Sequence, residues 1–516
     1  MRGRPWRNNV VVVMVDQLAA GWLPAYGHEV VRAPNVTALA AQGVTFDAAY
    51  CPSPLCAPSR SAMLSGRFAS RIGVFDNAAE LPASVPTVAH HLRAAGYHTC
   101  LAGKMHFVGP DQLHGFEQRL TTDIYPAGVD WTPDWTRDVA QRLPWYHTME
   151  SVLTPARCVA SMQTDYDDEV AFQSVRHIHD LARTRAEQPF LLVASFTSPH
   201  DPWEIPSRYW DLYDPDEIAL PAVPKIALDD ADPHSRRLRT MSGIDELELA
   251  DEQIRRARHG YYAAISYVDE RIGAVLDALR ETGLDDGTAI IFTADHGEFL
   301  GERGLWYKMS FLEPSARVPL IVRPPGGGQP RRIAQPVSLL DLAPTLVELA
   351  TGRDDRGSDL DLDGTSLAAL IEGDEAAERP PVIAEYHAEG VTAPAAMVRD
   401  GRHKLIVCGD DPDQLYDLEA DPFELDNLAG RSQCQETAVA LRTALDRRLA
   451  LGEIERRVLA SQRDRRLVTL GMSNGELSSW DYQPRVDASM QYVRSRADLY
   501  DLQRRARLER RPSEQP

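Results

Sequence analysis

The chain has 516 residues, 43% of them hydrophobic and 25% charged, which is enough apolar material for a sizeable core and enough length for more than one domain. Its formal net charge of −21 argues against broad electrostatic attachment to nucleic acid or to an anionic membrane, since both are held by clustered lysine and arginine. A small-molecule partner is expected instead.

The opening residues, MRGRPWRNN, lack the apolar stretch and small-residue cleavage site of a secretion signal, and the apolar run from Val10 to Val15 is far too short to span a bilayer. These features predict a cytoplasmic protein with no membrane partner. The run itself, VVVVMVDQ, reads as a buried parallel strand that delivers Asp16 and Gln17 to a loop at its carboxyl end.

PLCAPSRSAMLSGR, residues 54–67, comes next. Pro58 suits the first turn of a helix, and Ala62, Met63 and the stop at Gly66 predict a short helix beginning near Ser59. Cys56 then sits at a helix N-terminus, where backbone N–H groups attract anions. A free thiol is otherwise most often a small buried hydrophobe. The six cysteines, at 51, 56, 100, 158, 408 and 434, are scattered without disulfide-scaffold density or paired zinc spacing, so most are expected to be reduced and inert.

Farther along, VPTVAHHLRAAGYHTCLAGKMH predicts a helix closed by Gly96, a strand from about Tyr97, and a loop carrying Lys104 and His106. DDEVAFQSVRHIHDLAR leads as a helix into the strand of PFLLVASFTSPHDPW, and a helix from about Glu252 to Glu281 leads into TAIIFTADHGE. Strands separated by helices imply an α/β fold with a large, mostly parallel central sheet sandwiched by helices, whose ligands bind beyond the carboxyl ends of the strands. Asp16 and Gln17, Lys104 and His106, His200, and Asp295 and His296 all fall at such ends. A single polar residue after a strand is usually the start of a solvated loop. Several sharing one rim of one sheet mark a site.

The stretch near 351–364 and the following EGDEAAERPP read as surface connections. The expected division is a catalytic domain over 1–375, a smaller α+β domain over 376–455 with short antiparallel strands and a helix from about Glu436 to Leu451, and a tail over 456–516. The tail is Arg-rich and amphipathic, with SSWDYQP and MQYV insertions, and reads as an arm that docks on another subunit.

C-A-P-S-R followed by S-A-M-L-S-G resembles the signature of the sulfatase family, in the alkaline-phosphatase superfamily, where the cysteine is converted after translation to formylglycine. Asp16, GKMHF, SPHDPW, TADHGE, Lys308 in LWYKMS, and LYDLEADPFELDNLA come in the order expected of sulfatases. LAGKMHFVGPDQLHGFEQRLTTDIYP with WTPDW, and the tail segment SSWDYQPRVDASMQYVR, resemble the choline-sulfatase branch, whose members hydrolyse choline-O-sulfate in the cytoplasm and share an oligomerising tail. The resemblance implies an alkaline-phosphatase-like fold, formylglycine at position 56, a formylglycine-generating enzyme as maturation partner, and a homo-oligomer, dimer or tetramer.

By the same resemblance one divalent ion is held by Asp16, formylglycine 56, Asp295 and His296, with Gln17 nearby. Oxygen-rich ligation suits Ca2+, while the imidazole, standing where many sulfatases have asparagine, moves the preference toward Mn2+. Arg60 is expected to orient the formylglycine, Lys104 and Lys308 to hold sulfate oxygens, His106 to take the proton that drives elimination, and His200 with Lys308 to assist the leaving alcohol. A quaternary ammonium has no N–H to donate, so aromatic faces and carboxylates must recognise it. Trp131 is the expected cation-π face, Glu385 the counter-charge, Asn77 a contact near the sulfate end, and Asp498 or Asp501 a tail acid from a neighbouring subunit. Trp135, Trp145 and Tyr146 serve equally well as plugs that pin loops to the sheet. Two rival readings are a phosphonate monoester or phosphodiester hydrolase of the same superfamily and a silent homologue that keeps the pocket.

Overall fold

The computed structural model describes residues 8–137, 145–185, 187–352, 361–374 and 376–474. The apolar runs of the first part of the chain, with a short polar strand at each edge, form an eight-stranded sheet: β1 (Asn9–Val15), β2 (Val44–Phe46), β3 (His98–Gly103), β4 (Gln118–Arg119), β5 (Phe190–Ser195), β6 (Thr288–Ala294), β7 (Leu320–Arg323) and β8 (Arg331–Ile333). Their order across the sheet is β8-β2-β7-β6-β1-β5-β3-β4. Strand β1 lies between β5 and β6 and runs parallel to both, and β3 runs parallel to β5 and β4. Only β7 runs against its neighbours, β2 and β6. The uninterrupted valine run of β1 follows from this position, since a strand covered on both faces has no solvent side on which to place polar residues.

Helices flank the sheet in two packed pairs: α1 (Cys56–Ser65) with α4 (Leu342–Thr351), and α2 (Met162–Thr184) with α3 (Asp251–Thr282). A second, antiparallel sheet has four strands, β9 (Val382–Tyr386), β10 (Ala395–Asp400), β11 (His403–Cys408) and β12 (Gln414–Asp417), and packs against α5 (Gln435–Asp446). Leu441 and Leu445 of α5 share a buried cluster with Ile383, Val398 and Leu405 of that sheet.

The helix expected to run to Leu451 ends at Asp446. A separate helix, α6 (Leu451–Ser473), follows and crosses the boundary expected at 455/456. Leu449, Ile454 and Val458 all enter the same buried cluster, so the chain has to turn between the helices to bring a second apolar edge onto it. The tail from 475 onward, with Asp498 and Asp501, lies outside the described residues. Among the described residues no helix is long and apolar enough to cross a membrane. All six cysteines are free.

Candidate active site

The carboxyl ends of β1, β3 and β6 place Asp16, Lys104, Asp295 and His296 in one buried space, and α1 adds Cys56 at its first residue. Helix α1 begins at Cys56 rather than near Ser59 because Asn77 Oδ1 accepts the Ala57 N–H at 2.9 Å, supplying the partner that a first-turn donor needs. Two glycines permit the close approach. A Cβ on Gly103, at φ +103°, would lie 1.9 Å from the Ser195 carbonyl oxygen, and one on Gly297 would lie 2.1 Å from that of Pro314.

Arg60 ties the strand ends together. Its Nε donates to Asp295 Oδ2 at 2.7 Å, and its Nη1 donates to the Lys104 carbonyl at 2.7 Å and to Ser195 Oγ at 2.8 Å. Its Nη2 is 3.5 Å from Asp16. Lys104 pairs directly with the same oxygen of that carboxylate, Oδ2. The expected metal ligands therefore converge: the donor atoms of Asp16, Cys56, Asp295 and His296 all lie within 4.8 Å of one another. Opposed ligands around Ca2+ stand roughly 4.6–5.2 Å apart, so the spacing and the mixed carboxylate and imidazole donors fit one divalent ion. The imidazole is prepared for the role. His296 Nδ1 lies 3.1 Å from the Gly297 carbonyl and donates to it, which turns Nε2 toward Cys56 Sγ at 3.2 Å.

The field at position 56 favours an anion. Burial would raise the Cys56 thiol, but Lys104, Lys308 and His296 outweigh it and hold the group well below its ordinary range. Burial opposes ionisation of Asp16 too, yet Lys104, with help from His200 and Arg60, keeps it down at about 2.

His106 stands over this field. It is buried, adopts a left-handed backbone conformation at φ 58°, and has no hydrogen-bond partner on either ring nitrogen. Asp123 Oδ2 fixes its loop by accepting the Met105 and His106 N–H groups at 2.9 and 2.7 Å. The ring stacks on Tyr125 at 5.2 Å, and Tyr125 also faces Lys104 Nζ, 4.0 Å from its ring centre.

A second network surrounds Lys308, which donates to Gln17 Oε1 at 2.5 Å and to His200 Nε2 at 2.7 Å. The Gln17 amide has a single allowed orientation, because its nitrogen donates to Glu298 Oε2 at 2.6 Å and Asp201 Oδ1 at 3.3 Å. His200 Nδ1 donates to the Asp201 carbonyl at 2.7 Å, so its Nε2 accepts from the ammonium. Gln17 thus sits beside Asp295 through its backbone N–H, 3.1 Å from Oδ1, while its side chain serves Lys308.

Next to Tyr125, whose ring also meets that of His200 at 5.7 Å, Trp131 stacks on Trp145 at 6.2 Å and meets the rings of His106 and Tyr125 edge-on, at 6.0 and 5.8 Å. Trp135 and Tyr146 instead pin loops, through bonds to the Ala388 carbonyl and to Met309 Sδ. Glu385 is buried, but its two oxygens are taken by the Ser70 N–H at 2.7 Å and His387 Nε2 at 2.9 Å. Glu389, by contrast, is a buried carboxyl whose Oε2 has no hydrogen-bond partner. Burial, reinforced by Asp76, pushes it up to about 8.

Tyr125, Asp123, Asp201, Glu298 and Glu389 are the site groups that sequence reasoning passed over. Asp201 and Glu298 lie within the quoted SPHDPW and TADHGE segments, and asking what fixes His200 and Gln17 would have found them.

Residues 8–352 match the Sulfatase family, and residues 301–450 the N-sulphoglucosamine sulphohydrolase C-terminal family. The chain belongs to the sulfatase family of the alkaline-phosphatase superfamily and is a sulfatase-type hydrolase, with a buried Cys-Asp-Asp-His cluster of formylglycine type. Residues 456–508 match the Choline sulfatase enzyme C terminal family. More particularly, the chain is a choline-sulfatase homologue, 44% identical to the Choline-sulfatase of Rhizobium meliloti (strain 1021) over 98% of this chain and 99% of that one. It is also 27% identical to an Arylsulfatase of Clostridium perfringens over 86% of this chain and 94% of that one. The phosphonate monoester hydrolase of Agrobacterium radiobacter superposes with a TM-score of 0.67 at 25% identity, covering 86% of this chain and 96% of that one.

Proposed function

We propose that the chain hydrolyses choline-O-sulfate to choline and sulfate. The observation that carries the substrate choice is Trp131, an aromatic face placed 6.0 Å from His106 on the rim of the anion-stabilising site. A trimethylammonium group is drawn to such a face and to a carboxylate behind it. Glu389, a buried carboxyl with an unpartnered oxygen that feels the charges of Lys308 and position 56, supports the reading as the counter-charge, with Glu385 holding His387.

Formylglycine at position 56, hydrated, presents one hydroxyl to attack sulfur and a second to expel sulfate once the alcohol has left, which splits one hard step into two easier ones. A serine there would stop at a stable ester. Asp16, Asp295, His296 and position 56 would hold a divalent ion, Ca2+ by the oxygen donors with Mn2+ the alternative set by His296. Such an ion, when bound, lowers the cost of an alkoxide at position 56 and offsets charge on the sulfate oxygens. Arg60 orients position 56 through Asp295 and Asp16. Lys104 and Lys308 hold sulfate oxygens as point charges. Lys308, held by Gln17 and His200, has a third N–H to offer the leaving oxygen, and His106, with free ring nitrogens, takes the proton from the remaining hydroxyl. Asn77 supports position 56 by holding the Ala57 N–H.

The same reading makes residues 1–375 the catalytic domain, the tail an oligomerising arm whose Asp498 or Asp501 approaches a neighbour's site in a dimer or tetramer, a formylglycine-generating enzyme the maturation partner, and the cytoplasm the place of action. The test is hydrolysis of a panel of sulfate, phosphate and phosphonate esters by converted protein with choline as competitor. Saturation by choline-O-sulfate, weakened by choline, supports the reading. Preference for phenyl phosphonates without choline competition favours a phosphonate hydrolase instead.

A further inference from the structure

We propose that one face of α6 is a clamp that sets the shape of the alcohol-binding end of the site, with Arg465 as its principal positioning residue. Gln462, Arg465, Arg466 and Thr469 stand at i, i+3, i+4 and i+7, a single stripe of the helix. A polar stripe ordinarily faces water. Here Gln462 is 1% exposed and the Arg465 side chain 12%, and all four residues grip catalytic-domain segments.

Arg465 makes a two-pronged pair with Asp76, Nη1 to Oδ1 at 2.6 Å and Nη2 to Oδ2 at 2.7 Å, and Nη1 also reaches Thr132 Oγ1 at 3.2 Å. Gln462 Oε1 accepts the Trp135 N–H at 3.0 Å, Arg466 pairs with Asp134, and Thr469 Oγ1 donates to the Val129 carbonyl at 3.5 Å. Trp135 passes the restraint on by donating its indole N–H to the Ala388 carbonyl at 2.8 Å.

The contacts follow a pattern. The two groups assigned to the quaternary ammonium are chain neighbours of residues held by the clamp directly or through Trp135: Trp131 adjoins Thr132, and Glu389 adjoins Ala388. Asn77, nearer the sulfate end, adjoins Asp76. Asn77 in turn holds the Ala57 N–H beside position 56. The sulfate-end groups, Arg60, Lys104, His200 and Lys308, are anchored by the strand ends and by one another. Asp76 is fully buried, so its charge requires a partner, and a guanidinium fork fixes both the distance and the angle between the two segments it bridges.

The clamp rests on the choline-sulfate reading but fails separately from it. Full-length, formylglycine-bearing protein is assayed with choline-O-sulfate and with 4-nitrophenyl sulfate, and choline inhibition is measured for each variant. Arg465→Ala is expected to raise KM for choline-O-sulfate about tenfold and to weaken choline inhibition in step, while kcat/KM for 4-nitrophenyl sulfate changes by no more than about twofold. Arg465→Lys, which keeps the charge without the fork, is expected to recover only part of the loss. Gln462→Ala changes no charge, is expected to move KM in the same direction, and decides the matter if Arg465→Ala does not fold. Parallel losses on both substrates, no change on either, or full recovery with lysine overturns the clamp. Wild-type protein indifferent to choline overturns the substrate reading instead.

Discussion

Lys308 Nζ stands 2.7 Å from His200 Nε2, and because His200 Nδ1 already donates to the Asp201 carbonyl, the ammonium is the donor between them. His200 therefore aims a proton source. An alkyl alcohol such as choline is a poor leaving group without a proton, whereas 4-nitrophenol departs readily. His200→Ala is expected to lower kcat for choline-O-sulfate by roughly a hundredfold and for 4-nitrophenyl sulfate by less than about tenfold. Equal losses on the two esters would remove His200 from leaving-group assistance.

Trp131 offers a face rather than a hydrogen bond, so truncation should cost binding more than chemistry. Trp131→Ala is expected to raise KM for choline-O-sulfate by about ten- to thirtyfold, in line with a cation-π contact of about 2 kcal/mol, with Trp131→Phe in between. Unchanged inhibition by choline in the alanine variant would show that the cation binds elsewhere.

The Glu389 carboxyl keeps its proton to about pH 8 in the folded protein, against 4.5 for an ordinary glutamate. Between those values the folded state holds a proton that the unfolded chain has lost, so stability falls as pH rises through that window. Urea unfolding across it should show a shallower decline for Glu389→Gln. A bound quaternary ammonium favours the carboxylate, so choline is expected to bind more tightly as pH approaches 8, with a proton released. Glu389→Gln should flatten that dependence, and a slope identical to wild type would count against Glu389 as the counter-charge.

Loss of His296 removes the imidazole donor but leaves two carboxylates and position 56. His296→Ala is expected to weaken ion binding by at least roughly a hundredfold, read as metal content after dialysis against a graded chelator. Refilling stripped wild-type protein with Ca2+ or Mn2+ separately identifies the resident ion by the affinity each shows. Undiminished metal content in His296→Ala would exclude the imidazole as a ligand.

What the sequence revealed depended on range. Asp16, Lys104, Asp295 and His296 were legible because each ends an apolar run, and a parallel sheet aligns such ends without further information. The start of α1 was not legible, because its cap comes from Asn77, a loop residue whose position is set by the tertiary fold. Glu385 and Glu389 are equivalent in the sequence, and only the Ser70 N–H and His387 contacts distinguish a carboxylate already engaged from one with an oxygen free. Arg465 falls in the stretch that reads as an arm for another subunit, and nothing local says that it and Asp76, so distant in the chain, bury one another.

Cys56 is 2% exposed, and every residue of α1 behind it is buried, including the arginine of the CAPSR signature. On the proposed formylglycine maturation, an enzyme that grasps that segment to oxidise the thiol would meet it only while the polypeptide is still extended. Maturation would then be a race against folding, in which a molecule that closes first would keep its sulfur until it unfolds again. The active fraction of a preparation would be set by timing during synthesis, and later addition of metal or of the oxidising enzyme to the finished protein would leave that fraction unchanged.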